Sequence, residues 1–240
     1  MDKEAISSIL NDFAEALGWE LPGKTIEIGS IHSFAALDWH VLDVQNGKAL
    51  LLSDKVIEKK AYHSLFAAIT WEECELRSYL DGAFYNSFGQ DKTRIAETKL
   101  ANKDNPWYNT SGGNATTDRV FLLSLDEVVQ YFGNSGDLKN RKDWELKDGK
   151  YILAHGSGYY IHDQFDKARI AYDSDGKECL WWLRSPGCVV YGSRRFPYLP
   201  IFGVNSFFAA SVGGDGAVYV GGCIAVSESS GVRPALWLNL

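Results

Sequence analysis

The chain has 240 residues with a net charge of −7, and 45% hydrophobic with 13% aromatic residues supply enough apolar material for a sizeable core, which excludes a disordered polypeptide. Its acidity leaves no basic field to draw in phosphate backbones, so no nucleic-acid partner is expected. No apolar run approaches the roughly 20 residues of a spanning helix, and Met1-Asp-Lys-Glu4 opens no signal-peptide stretch. Synthesis in the cytoplasm without membrane insertion is therefore expected, any display on a particle or cell surface needing another route.

Residues 4–17 place Ile6, Ile9, Leu10, Phe13, Ala14 and Leu17 at helical spacing before Gly18, which predicts a short amphipathic helix, an extension over 1–20 that packs on the main domain or on a partner chain. A strand is predicted over Thr25–Ile28, ending at Gly29. The two apolar runs Trp39–Val44 and Lys48–Leu52, joined through Asn46-Gly47, spell a hairpin. Two reciprocal capping patterns follow, in which a hydroxyl covers one free amide of the first helical turn and a carboxylate three residues on covers another. Thr70-Trp-Glu-Glu73 is read as the start of a helix carrying Leu76, Tyr79 and Leu80, and Ser124-Leu-Asp-Glu127 as the start of one carrying Val128, Tyr131 and Phe132 up to Gly133. Between them, 102–117 reads as a long loop leading to a short apolar strand over Val120–Leu123. Residues 134–176 show no clear period and are read as mostly loop.

Leu180–Arg184 forms a bulky strand, Ala209–Val212 and Ala217–Val220 flank a Gly213–Gly216 turn, and Gly231–Leu238 closes the chain as one strand. No linker divides the chain, so the expected fold is one α+β domain over 21–240. Cys74, Cys179, Cys188 and Cys223 lack the spacing of a zinc site, and Cys74 and Cys179 read as small buried hydrophobes. The histidines His32, His40, His63, His155 and His162 are scattered, and Asp173–Glu178 is a polar turn that stops short of a calcium loop. No metal and no cofactor is expected.

Taken in order, Trp39–Val44, Ala49–Ser53, Thr70-Trp-Glu72, Leu76-Arg77, Phe121–Glu127, Trp181-Trp-Leu-Arg-Ser-Pro-Gly187 and Gly231-Val-Arg-Pro-Ala-Leu236 resemble a family of phage and gut-bacterial domains that look like the variable proteins of diversity-generating retroelements. The resemblance runs from about residue 25 to the C-terminus. It implies a C-type lectin-like fold, related to that of formylglycine-generating enzymes, with a variable region over about 181–236 and a non-enzymatic role: binding a protein or glycan ligand on a cell surface. It also implies that an error-prone reverse transcriptase randomises Asn codons into other pyrimidine-ending codons, which cannot encode Trp, Met, Gln, Lys or Glu. Those five types fill 39 of the first 187 positions, so about eight are expected between Cys188 and Ser227, and none occurs. A buried strand-rich segment would also lose Lys, Glu and Gln, but it does not account for Arg194 and Arg195 beside the spread of Cys, Phe, Gly and Tyr.

Strand alternation around Asp215-Gly216 predicts Val212 and Val218 inward and Ser211, Gly213, Ala217 and Tyr219 outward, where variation costs no core packing. With them, Cys188, Val189, Val190, Tyr191, Arg194, Arg195, Phe196, Tyr198, Phe207, Gly214, Gly221, Cys223, Ile224 and Ala225 make up the candidate contact surface of residues 188–227. The stretch 194–208 reads as a loop stiffened by Pro197 and Pro200 that displays aromatics, a good paratope composition, while Phe202, Phe207 and Phe208 equally suit a buried place. Arg184 and Arg233 read as anchors that hydrogen-bond carbonyls or carboxylates. Two other readings stay open: an oxidase of the formylglycine-generating type using Cys188 and Cys223, and a structural phage or surface subunit that oligomerises or attaches through the N-terminal helix.

Overall fold

The structure is a computed structural model that describes residues 26–141, 144–147, 150–153, 160–188 and 207–240, with the backbone alone for 144–147 and 150–153. The expected helix over 4–17 lies outside the described residues. The chain is α+β: small, mostly antiparallel sheets with few and short helices.

Where a strand was expected over 25–28, residues 28–29 form a turn, and the first strand is β1, Ile31–Phe34. It pairs with β2, Leu37–Gln45, which returns as β3, Lys48–Ser53. Asn46 and Gly47 both take positive φ, 50° and 70°, the pair a two-residue hairpin turn requires so that its twist matches the strands. After β4, Glu58–Ala61, the Thr70 pattern makes a tight turn and not the helix start: Cys74 N and Glu73 N both donate to the Thr70 carbonyl. Helix α1, Glu75–Tyr79, begins one turn later, and its N-cap is Cys74, whose thiol accepts from Arg77 N at 3.4 Å. Burial holds that thiol up to about 12, so it caps as a neutral group. The helical path runs on through a wide turn at Leu80–Phe84 to Arg94.

Strands β5 (Ile95–Ala96), β6 (Thr98–Leu100), β7 (Thr116–Asp118) and β8 (Val120–Phe121) precede α2, Leu125–Phe132. Here the capping box is present as expected: Glu127 N donates to Ser124 Oγ and Ser124 N to the Glu127 carboxylate. The 134–176 stretch contains more order than its sequence suggests, a hairpin of β9 (Trp144–Lys147) and β10 (Lys150–Leu153), a one-turn helix α3 (Asp166–Arg169) and β11 (Ala171–Tyr172). The Asp173 turn joins β11 to β12 (Glu178–Cys179), its carboxylate accepting from Asp175 N and Lys177 N.

The expected closing strand is two strands in two sheets. β16, Ser229–Val232, belongs with β13 (Trp181–Pro186), β14 (Ala209–Val212), β15 (Val218–Tyr219) and β4, in the order β15-β14-β13-β16-β4. β17, Ala235–Asn239, crosses to the other sheet, in the order β1-β2-β3-β17-β5 with β8 also on β17. Proline at 234 breaks the ladder because it has no amide to donate, and its carbonyl instead accepts from Ser53 N at 2.9 Å. The largest sealed side chains include Trp39, Trp71, Trp181 and Trp182. Each indole nitrogen has a partner, such as the Arg169 carbonyl for Trp181 and the Lys60 carbonyl for Trp182, as burial of that group demands.

Candidate functional site: a clamped segment beside an exposed apolar patch

The candidate segment leaves β13 at Gly187 and re-enters the frame at β16. At its start the chain is pressed against two later stretches of itself: Gly187 N donates to the Phe208 carbonyl and Cys188 N to the Gly221 carbonyl, each at 2.8 Å. A Cβ at 187 would stand 2.3 Å from the Gly221 oxygen, so only glycine allows this approach. Asn105 bolts the same place from the long loop. Its Nδ2 donates to the carbonyls of Pro186 and Val220, both at 2.7 Å, and its Oδ1 accepts from Trp107 N and Tyr108 N. A fully satisfied buried amide of this kind specifies one arrangement.

Of the expected contact residues, Val189, Val190, Tyr191, Arg194, Arg195, Phe196 and Tyr198 lie outside the described residues. The outward assignment of Ser211, Gly213 and Ala217 is corrected, as is the surface place of Cys188 and Gly221: all five are buried. Alternation predicts a free outer face only when one face of a hairpin meets solvent, and this hairpin is covered on both. Cys223 Sγ stands 3.5 Å from Ser211 Oγ, and the Tyr219 ring lies over Gly213. The segment 160–169 closes over the rest: Ile161 bridges Val218, Tyr160 packs on Tyr219 with ring centres 5.4 Å apart, and Arg169 Nε donates to the Gly216 carbonyl. Val212 and Val218 are buried as expected.

What remains accessible is Phe207, Gly214, Tyr219, Cys223, Ile224 and Ala225, each partly exposed. Phe207 stacks at 4.8 Å on Phe66, and Phe66 and its neighbour Leu65 are 61% and 67% exposed. Backbone bonds hold these pieces together, His63 N to the Val226 carbonyl and Val226 N to the Phe207 carbonyl, with a bridge between Phe208 and Ala225. Leu65 and Phe66 thus extend the apolar surface beyond the segment that composition singles out. Their signal in the sequence is weak: two large apolar residues in a Ser- and Ala-rich stretch with no period.

Over residues 46–240 the sequence matches the model of a family described as Domain of unknown function (DUF6273). The chain belongs to the DUF6273 family. No curated protein and no solved structure matches it. The match begins in the β2–β3 turn, but β2 pairs with β3 from Trp39↔Ser53 to Gln45↔Lys48 and β1 pairs with β2, so the folded unit of this DUF6273 protein reaches back at least to Ile31.

Two arginines fasten the DUF6273 frame on either side of the segment. Buried Arg184 makes a two-pronged pair with Glu127, Nη2 donating to Oε1 at 2.8 Å and Nη1 to Oε2, and Nη1 also donates to the Leu122 carbonyl. Burial alone would raise the Glu127 carboxyl, but the Arg184 charge and the hydrogen bonds from Arg184 and Ser124 hold it below its ordinary value. Arg233 donates to the Ser53 carbonyl at 2.9 Å and the Asp54 carbonyl at 3.4 Å. The expected anchoring role of both arginines is what this geometry performs. Among the described residues no helix is long and apolar enough to cross a membrane.

Proposed function

We propose that this DUF6273 protein is a non-enzymatic binding protein of C-type lectin-like fold, in which a fixed frame presents a retroelement-diversified surface to a protein or glycan ligand. The observation that carries the reading is one of composition: the 40 residues from Cys188 to Ser227 contain no Trp, Met, Gln, Lys or Glu, and they lie between two buried arginines, Arg184 and Arg233, that are fastened to the frame. At the described end of that stretch, Phe207 packs on the exposed Phe66 beside the exposed Leu65, and exposed large apolar side chains brought together are what a contact site presents. Burial raises the Cys223 thiol above its ordinary value, away from the thiolate an oxidase would need, which favours binding over catalysis.

Sequencing the coding locus across a natural population tests this. Variation is expected at adenine-derived codons between 188 and 227, with the codons for Glu127, Arg184 and Arg233 constant; a uniform locus, or variation spread evenly along the gene, overturns the reading. The corrected burial makes a second prediction. Randomising Phe207, Tyr219, Cys223, Ile224 and Ala225 with pyrimidine-ending codons is expected to leave most variants folded, since surface changes usually stay within about 0.5 kcal/mol. The same library at Ser211, Val212 and Ala217 is expected to cost about 1–3 kcal/mol per overpacked position. Protease resistance of the displayed libraries measures both, and equal tolerance at the two sets would remove the distinction between frame and surface.

A further inference from the structure

The second clamp differs from the first in one respect that packing does not explain. Buried Arg184 pairs with Glu127, and buried Arg169 pairs with Asp163 and Asp166 at 2.6 and 2.5 Å. Arg233, 2% exposed, has no carboxylate within ion-pairing distance among the described residues, and its hydrogen bonds there go to two backbone carbonyls. Among the described residues its Nη1 has no hydrogen-bond partner, but the same holds for Arg184 Nε and Arg169 Nη1, so the missing carboxylate is what sets Arg233 apart. The carboxylate of Asp54 is turned to His40 Nε2 at 2.7 Å, so Arg233 meets only that residue's backbone oxygen. A buried charge without a directly bonded counter-ion is costly. The rings of Trp181 and Phe132, 5.1 and 5.8 Å from the guanidinium carbon, share part of the charge, but a ring face is not an oxyanion.

Arg233 also forms part of the wall of a cleft of about 400 Å³ at the junction of the two sheets. Lys167 brings a further positive nitrogen to the same cleft and His40 an imidazole whose protonation burial and the Arg233 charge disfavour, Asp54 is the one carboxylate residue in the wall among the described residues, and Ile28, Leu42 and Ile170 supply apolar wall. That volume lies within the range of small-molecule sites, and the lining is divided about evenly between polar and apolar surface. A fork-shaped guanidinium matches the planar oxygens of a carboxylate, and the apolar wall selects an organic body over a bare ion.

We propose that this cleft binds a small organic carboxylate, whose charge completes the environment of Arg233 while Lys167 and His40 hold it from the open side. The site is separate from the apolar patch at Phe66 and Phe207, and it holds whether or not the segment 188–227 is diversified. Contact with Nη1 requires a side-chain adjustment in the wall, because that atom is shielded from solvent; the Arg233 field and the other two nitrogens act without it.

The test uses the full chain and three probes, benzoate, its neutral isostere benzamide, and inorganic phosphate, titrated by calorimetry and by the NMR shifts of the His40 imidazole and the Tyr131 ring. Benzoate is expected to bind at least about tenfold more tightly than benzamide, the effect of one charge-assisted hydrogen bond, and more tightly than phosphate. Ala168→Trp, at an exposed residue on the rim, is expected to abolish benzoate binding with the unfolding temperature unchanged. Arg233→Gln, where it folds, is expected to erase the preference for benzoate over benzamide; where it does not fold, the Ala168→Trp result decides. Equal binding of benzamide, binding of phosphate as tight as benzoate, no binding by any probe, or benzoate binding that survives Ala168→Trp would each overturn the proposal.

Discussion

Replacing Arg184 with alanine is expected to remove about 3–5 kcal/mol of folding stability, the usual cost of breaking a buried ion pair by deleting one partner. Arg184 is 4% exposed and holds the Glu127 carboxylate on two prongs and the Leu122 carbonyl on one. Truncation leaves Glu127 with its Ser124 bond alone and Leu122 without this donor. Urea unfolding of the full chain measures the loss. The double variant R184M/E127L is expected to recover a large part of it, because an apolar pair avoids the cost of desolvating two charges, though not all, since Glu127 also closes the capping box of α2.

The pair has a pH signature. A carboxyl whose folded value lies below its ordinary one stabilises the fold at pH above the unfolded glutamate range, and that stability is lost as pH falls through the folded value. Glu127 is such a group. Acid unfolding of the native chain is therefore expected to begin below the ordinary glutamate range, and R184A is expected to lose stability at a higher pH. Identical acid transitions in the two proteins would show that Arg184 does not act through the Glu127 charge.

Asp118→Ala is expected to have an effect of the same size, about 3–5 kcal/mol, for the same reason. The Asp118 side chain is sealed from solvent and gathers three residues at once: Trp71 Nε1 at 2.8 Å, Thr116 Oγ1 at 2.9 Å, and Arg77 through Nε and Nη2, both at 2.7 Å. This carboxylate ties α1 and the turn before it to β7. Asp118→Asn is expected to be milder than alanine, since it keeps the shape and an acceptor but loses the charge that Arg77 needs. Thermal unfolding with circular dichroism distinguishes the three proteins, and an alanine variant within about 1 kcal/mol of the native chain would contradict the strength assigned to this network.

Much of the frame could be read before any coordinate. Asn46-Gly47 between two apolar runs and Ser124 three residues before Glu127 are local rules, in which backbone geometry is satisfied by side chains a few residues away. Those places agree with the fold. The reading at Thr70 went astray because the pattern was right and the backbone was not: the Thr70 carbonyl already accepts from two following amides in a turn, and a thiol, a weak acceptor, took the cap. Arg184 and Arg233 stood out as anchors, but Glu127 and the carbonyl of Ser53 are 57 and 180 residues away from them, and no local pattern names these partners or joins Arg77 to Asp118, 41 residues on.

The candidate surface divides along the same line. The residue types missing between 188 and 227 are a property of the chain as written, legible from composition alone, as are the hairpin turns and the buried valines at 212 and 218. Which members of the segment meet solvent was decided only by the tertiary structure. Period-two alternation describes a strand with one wet face, and it could not reveal that residues 160–169 and 219–226 fold over Ser211, Gly213 and Ala217, or that Phe66 would come from far upstream to stack on Phe207. Local propensity acts over a few residues, whereas exposure is a sum over everything packed nearby, and that sum exists only once the two sheets have closed on each other.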